Sequence, residues 1–91
     1  LRSSDLFGID CLDPSAAPGT GTPIPGGLTY HQAASLIRKL TDINFVGMDI
    51  VEVSPPYDHA DITSGAAAGL IMEYICLRAW QRGARAEKMK D

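Results

Sequence analysis

The segment Phe7-Gly8-Ile9-Asp10-Cys11-Leu12-Asp13-Pro14, running on into Pro18-Gly19-Thr20-Gly21-Thr22-Pro23, narrows the possible folds more than any other part of this sequence. Residues 6–12 read as a short β-prone run that Asp13-Pro14 stops. Residues 13–28 hold four prolines and four glycines, which excludes regular structure but leaves the loop stiff. A second apolar run, Phe45-Val46-Gly47-Met48-Asp49-Ile50-Val51-Glu52-Val53, again carries a carboxylate near its end. Its near-continuous apolar character suits a parallel strand covered on both faces. In open parallel sheets, ligands bind beyond the carboxyl ends of the strands. Two acidic strand ends facing one place therefore suit a metal or a cationic substrate.

Helical patterns alternate with these runs. Thr29-Tyr30-His31-Gln32 has the form of a capping box, and Ala33, Leu36, Ile37 and Leu40 follow at helical spacing. Arg38 and Lys39 fall where cations favour a helix C-terminus. After Ser54-Pro55-Pro56-Tyr57 a second helix is predicted to begin near Asp58 or Asp61. Its apolar side is predicted as Ile62, Gly65, Ala68, Gly69, Met72, Ile75, Cys76, Ala79 and Trp80, with Thr63, Ser64, Glu73, Arg78, Gln81 and Arg82 opposite. Gly83 is the expected stop. Residues 1–5 are polar and without pattern, and residues 84–91 read as a frayed, charged tail. The order strand, helix, strand, helix is one βαβ crossover with a covering helix, an edge portion of a larger α/β domain.

Composition excludes several functions. Ninety-one residues with a net charge of −3 lack the clustered cations that phosphate binding requires, so no nucleic acid partner is expected. No run approaches the ~18 uninterrupted apolar residues of a membrane span. Cys11 and Cys76 are isolated in apolar surroundings and read as small buried hydrophobes rather than a disulfide.

Carboxylates carry the chemistry. Asp10 and Glu52 sit in otherwise apolar runs, where an unpaired charge is costly to bury. Hard carboxylate oxygens suit Mg²⁺, Ca²⁺ or Mn²⁺, but one Asp and one Glu do not make a metal site. Asp13, before Pro14, reads as a turn-capping residue.

The run from Ile9 through Thr29 resembles the ureohydrolases, the family of arginase and agmatinase, whose pattern is Ser-x-Asp-x-Asp-x-x-Asp-Pro, Pro-Gly-Thr-Gly-Thr-Pro and Gly-Gly-Leu-Thr. The block from Val51 through Thr63, Val-Glu-Val-Ser-Pro-Pro-Tyr-Asp-His-Ala-Asp-Ile-Thr, resembles the agmatinase branch. The likeness covers residues 9–83, leaving 1–8 as an atypical upstream segment and 84–91 as the tail. It implies a βαβα C-terminal portion of a three-layer α/β/α arginase-like domain with a parallel sheet. It further implies a manganese-dependent amidinohydrolase that converts agmatine or a similar linear guanidino compound to urea and an amine. Two Mn²⁺ ions would activate a bridging hydroxide in the complete site, and the complete enzyme is expected to be a homo-oligomer.

By the same resemblance Asp10 is a metal ligand, the second aspartate of the Asp-x-Asp pair. Glu52 is the carboxylate that binds the substrate guanidinium through charge-assisted hydrogen bonds. The first aspartate, which bridges both metals, falls at Gly8. Asp5 is a poor substitute because its odd offset from Asp10 puts it on the other strand face. His31 and His59 do not replace the family's upstream histidine and Asp-x-His-x-Asp ligands. The 91 residues alone are therefore expected to be inactive; the alternative is a non-catalytic truncated product or an interacting subunit of the same family.

Overall fold

The computed structural model describes residues 2–90, with side chains from 4 to 88. Leu1 and Asp91 of the two predicted terminal segments lie outside the described residues. Strand β1 spans Arg2–Gly8, helix α1 Tyr30–Arg38, strand β2 Asn44–Val51 and helix α2 Ile62–Lys90. The two strands are parallel neighbours in a two-stranded sheet, with register Leu6↔Asp49, Phe7↔Ile50 and Gly8↔Val51. A short 3₁₀ turn, Ile9–Cys11, follows β1, and two more, Pro55–Tyr57 and His59–Asp61, lie between β2 and α2.

The strand predicted over 6–12 is thus shifted towards the N-terminus. Residues 2–5 carry no apolar alternation, yet their backbone pairs with β2. Strand formation depends on partners more than on intrinsic preference. Asp10 lies in the turn beyond the strand, so the face-parity argument against Asp5 does not reach it.

α1 starts as predicted. The Thr29 side chain accepts from the Gln32 N–H at 3.0 Å, and the Gln32 side chain accepts from the Thr29 N–H at 3.0 Å. These bonds satisfy two orphan donors reciprocally. The helix buries Ala33, Ala34 and Ile37 against α2 and the loop after β1.

α2 departs from expectation in two ways. Its buried stripe is Thr63, Ala67, Leu70, Tyr74, Leu77 and Gln81, while the predicted apolar side is largely exposed, with Met72 and Ile75 each at 56%. The helix is apolar on two sides. At 100° per residue, Ala68, Met72, Ile75 and Ala79 lie roughly 120–180° from the centre of the buried stripe. The packing of β2 and α1 decides which side is covered. Phe45 meets Tyr74 edge-on at 5.5 Å and 89°, a contact worth about 0.5–1.5 kcal/mol beyond its area. Arg38 forks onto Glu73 (Nε to Oε2 2.8 Å, Nη2 to Oε1 2.6 Å), joining α1 to α2. Gln81 Nε2 donates to the Thr41 and Ile43 carbonyls at 3.1 and 2.7 Å. By length and composition α2 is long and apolar enough to cross a membrane; in this structure the polar ties and the buried stripe join it to α1 and β2.

Nor does α2 stop at Gly83; it continues to Lys90. A mid-helix glycine costs only about 1 kcal/mol, and the alanines and long charged side chains beyond it favour helix.

Candidate functional site

Gly8 pairs with Val51 at the end of the ladder, so Asp10 and Glu52 leave neighbouring strands on the same edge. Adjacent strands lie about 4.8 Å apart. Neither carboxylate is inside the sheet, contrary to the sequence expectation: Asp10 is in the 3₁₀ turn and Glu52 is the first residue after β2. Glu52 is exposed and has φ 76°, the left-handed region. A non-glycine residue there costs on the order of 1–3 kcal/mol and persists only where its surroundings impose it.

The long loop after β1 is fastened by Asp13, as its turn-capping assignment predicts. Its Oδ2 accepts from the Ser15 N–H at 3.0 Å and from the Ser15 hydroxyl, and its Oδ1 accepts from the Gly26 N–H at 2.8 Å. Backbone bonds Leu28 N to Cys11 O (2.9 Å) and Asp13 N to Leu28 O (2.7 Å) close the loop's base. A Cβ on Gly27 would stand 2.7 Å from the Cys11 carbonyl oxygen and the Asp13 nitrogen, so this crossing requires glycine.

A second set of bonds joins this loop to the one after β2. Thr63, fully buried, accepts from the Gly19 N–H at 2.7 Å. Gly19 O accepts from the Ser54 N–H at 2.7 Å. Asp58 accepts from the Thr63 and Ser64 N–H groups at 2.8 and 2.9 Å and from the Ser64 hydroxyl at 2.6 Å. Left-handed Ala60 and Asp61 (φ 55° and 59°) fold the chain back so that Asp58 covers the first turn of α2. Asp58 is thus the predicted N-terminal capping residue, whereas Asp61 is not. Sequence reasoning missed Thr63, placing it on the outer side of α2. Its only sequence signal is an Asp followed shortly by Thr-Ser at a helix start.

These bonds predict acid sensitivity. Ser15, through its hydroxyl and then its N–H, and the Gly26 N–H hold Asp13 down at about 2. The Ser64 hydroxyl lowers Asp58, and Arg38 lowers Glu73. Each carboxylate is held below its ordinary value, so its contribution is present above that value and lost as pH falls through the lowered one. Thermal stability should be level from neutrality to about pH 5 and decline between roughly 4.5 and 2. An Asp13→Asn variant should start lower and lose less over that window; an unchanged acid profile would refute the assignment.

The remaining sequence candidates do not converge. His31 and His59 are exposed on α1 and the second loop. Cys11 and Cys76 are exposed rather than buried as expected, since the turn carries Cys11 outward and Cys76 lies off the packed stripe of α2. Although Cys11 is exposed by surface, partial desolvation and then the Asp10 carboxylate push its thiol up. Among the described residues, no three His, Cys, Asp or Glu side chains gather as a metal centre. At Gly8 the Asp10 Oδ1 lies 2.6 Å from where a Cβ would stand, so Asp10 has folded into the space of a Gly8 side chain. The residues present do not fit a two-metal centre.

Acidic residues at the carboxyl ends of parallel strands, with a stiff loop pinned beside them, define a segment of a parallel α/β domain. A model of the arginase family matches residues 7–76, and the chain belongs to that family. It is similar to an agmatinase from Chromobacterium violaceum, 63% identical over 71 residues, covering 78% of this chain and 22% of that relative. A hypothetical agmatinase from Burkholderia thailandensis shares the fold at TM-score 0.84 and 48% identity, over 91% of this chain and 26% of that one. The proclavaminate amidino hydrolase from Streptomyces clavuligerus matches at TM-score 0.80 and 45% identity, over 84% and 26%. The chain spans 22% to 25% of the curated agmatinases it matches. The parallel sheet with its helices is consistent with the C-terminal portion of an arginase-like domain.

Proposed function

We propose that this chain is the guanidinium-binding portion of an amidinohydrolase that converts agmatine or a similar linear guanidino compound to urea and an amine, with Glu52 as the substrate carboxylate. The observation that carries this reading is Glu52 itself: an exposed carboxylate, held past a strand end in a left-handed backbone beside a pinned loop. A carboxylate there can accept two parallel N–H bonds from a guanidinium, a pairing an ammonium cannot reproduce. Similarity to agmatinases supports the substrate class.

Asp10 is the one manganese ligand the resemblance assigns to this chain, and the Mn²⁺ pair of a complete site would need ligands from elsewhere. The chain alone is therefore inactive. A second reading, a non-catalytic member of the family, is favoured by one observation, Gly8 at the bridging position.

The test exchanges the 71 aligned residues of the Chromobacterium violaceum agmatinase for those of this chain carrying Gly8→Asp. Urea release from agmatine is expected, and Glu52→Gln in that chimaera should lower kcat/KM by roughly 10²-fold or more. Unchanged turnover with Glu52→Gln would exclude the proposed role.

A further inference from the structure

We propose that Thr63 is a positioning residue for Glu52, acting through Gly19 and Ser54; this rests on Glu52 being the guanidinium-binding carboxylate. Glu52 lies between two fixed points. On one side Val51 is paired with Gly8 at the end of the sheet. On the other, the Ser54 N–H is tied to Gly19 O at 2.7 Å. Only Glu52 and Val53 remain to turn the chain from the strand to that bond, and the turn is taken at Glu52 with φ 76°. The second fixed point depends on Gly19 staying in place, and Thr63 holds Gly19.

Thr63 is suited to this by its bonding capacity. Its hydroxyl oxygen accepts the Gly19 N–H at 2.7 Å. Its own N–H donates to Asp58 at 2.8 Å, which ties the Thr63 backbone to the loop that covers the first turn of α2. The residue is fully buried, and water cannot replace it. Without the hydroxyl, the buried Gly19 N–H loses its partner. Gly19 then shifts, Ser54 is released, and Glu52 relaxes to the negative φ that a side-chain-bearing residue prefers. The carboxylate thereby leaves the geometry that a bidentate cation requires.

The experiment uses the full 91-residue chain, labelled with ¹⁵N and ¹³C. A strong amide-to-Hα cross-peak within Glu52 reports positive φ. Agmatine and 1,4-diaminobutane, which share an amine end but differ in the guanidinium, are titrated against the Glu52 side-chain carbons. Wild type and Thr63→Ser should show the positive-φ signature and prefer agmatine. Thr63→Val should lose the signature and roughly fivefold or more of that preference. A Thr63→Val chain that keeps both, or a Thr63→Ser chain that loses both, overturns the proposal. Should Thr63→Val fail to fold, amide exchange in wild type decides: slow exchange at Gly19 and Ser54 relative to exposed Gly21 supports the clamp, and equal rates overturn it. If wild type shows no preference for agmatine while the Glu52 signature still depends on the Thr63 hydroxyl, the guanidinium reading falls and the positioning stands.

Discussion

Replacing Gly19 with alanine is expected to destabilise the chain by about 3 kcal/mol or more, adding the cost of overpacking to that of an orphaned buried N–H. A Cβ on Gly19 would stand 2.7 Å from Asp58 Cα, 2.8 Å from Asp58 Cβ and 3.0 Å from Thr63 Oγ1. Two of these atoms belong to a segment fixed by the Asp58 bonds to Thr63 and Ser64, so no flexible tip can move aside. The loops must separate, breaking the Gly19 N–H bond to Thr63 and the Ser54 N–H bond to Gly19 O. In a domain of this size the melting temperature should fall by on the order of 10–20 °C. Gly21, two residues along the same loop, supplies the control: nothing lies within 4 Å of its Cβ position and its φ is not positive. Gly21→Ala should stay within about 0.5 kcal/mol of wild type. Equal effects of the two substitutions in thermal melts would refute the clamp.

The contrast between these glycines marks what the sequence could reveal. Both lie in one Pro-Gly-Thr-Gly-Thr-Pro run, and only the fold shows which is crowded. Local chemistry was legible where it closes within a few residues: the Thr29–Gln32 capping box, the Asp13–Ser15 turn and the Asp58 cap all form as expected. Assignments that depend on distant partners were not. β1 begins among polar residues because β2 supplies its hydrogen bonds. The covered side of α2 is hidden in a helix that is apolar on two sides, and so are the positions of Thr63 and Cys76. At the strand ends, the common sheet edge of Asp10 and Glu52 was legible. The left-handed backbone at Glu52 was not, since no glycine or asparagine marks it.

The largest effect is expected at Gly8, and it is one of activity rather than stability. The 91 residues with added Mn²⁺ should release no urea from agmatine, and neither should a Chromobacterium violaceum chimaera that retains Gly8. Gly8→Asp in the chimaera should raise urea release by roughly 10³-fold or more, since a metal centre contributes several kcal/mol to such a reaction. The position can accept the side chain. The nearest obstacle to a Cβ is Asp10 Oδ1 at 2.6 Å, the end of a movable carboxylate, and the next atom, Asp10 Cγ, is at 3.8 Å. Asp10 would swing out of the space it now fills, leaving two like charges side by side, each opposing ionisation of the other. In the isolated chain Gly8→Asp should therefore lower the melting temperature at neutral pH, and less so at pH 4, where one carboxylate can stay protonated. That pH dependence needs no metal and reads directly whether Asp10 lies against residue 8. If Gly8→Asp leaves both the melting profile and the chimaera's urea release unchanged, Gly8 is not what separates this chain from an active ureohydrolase.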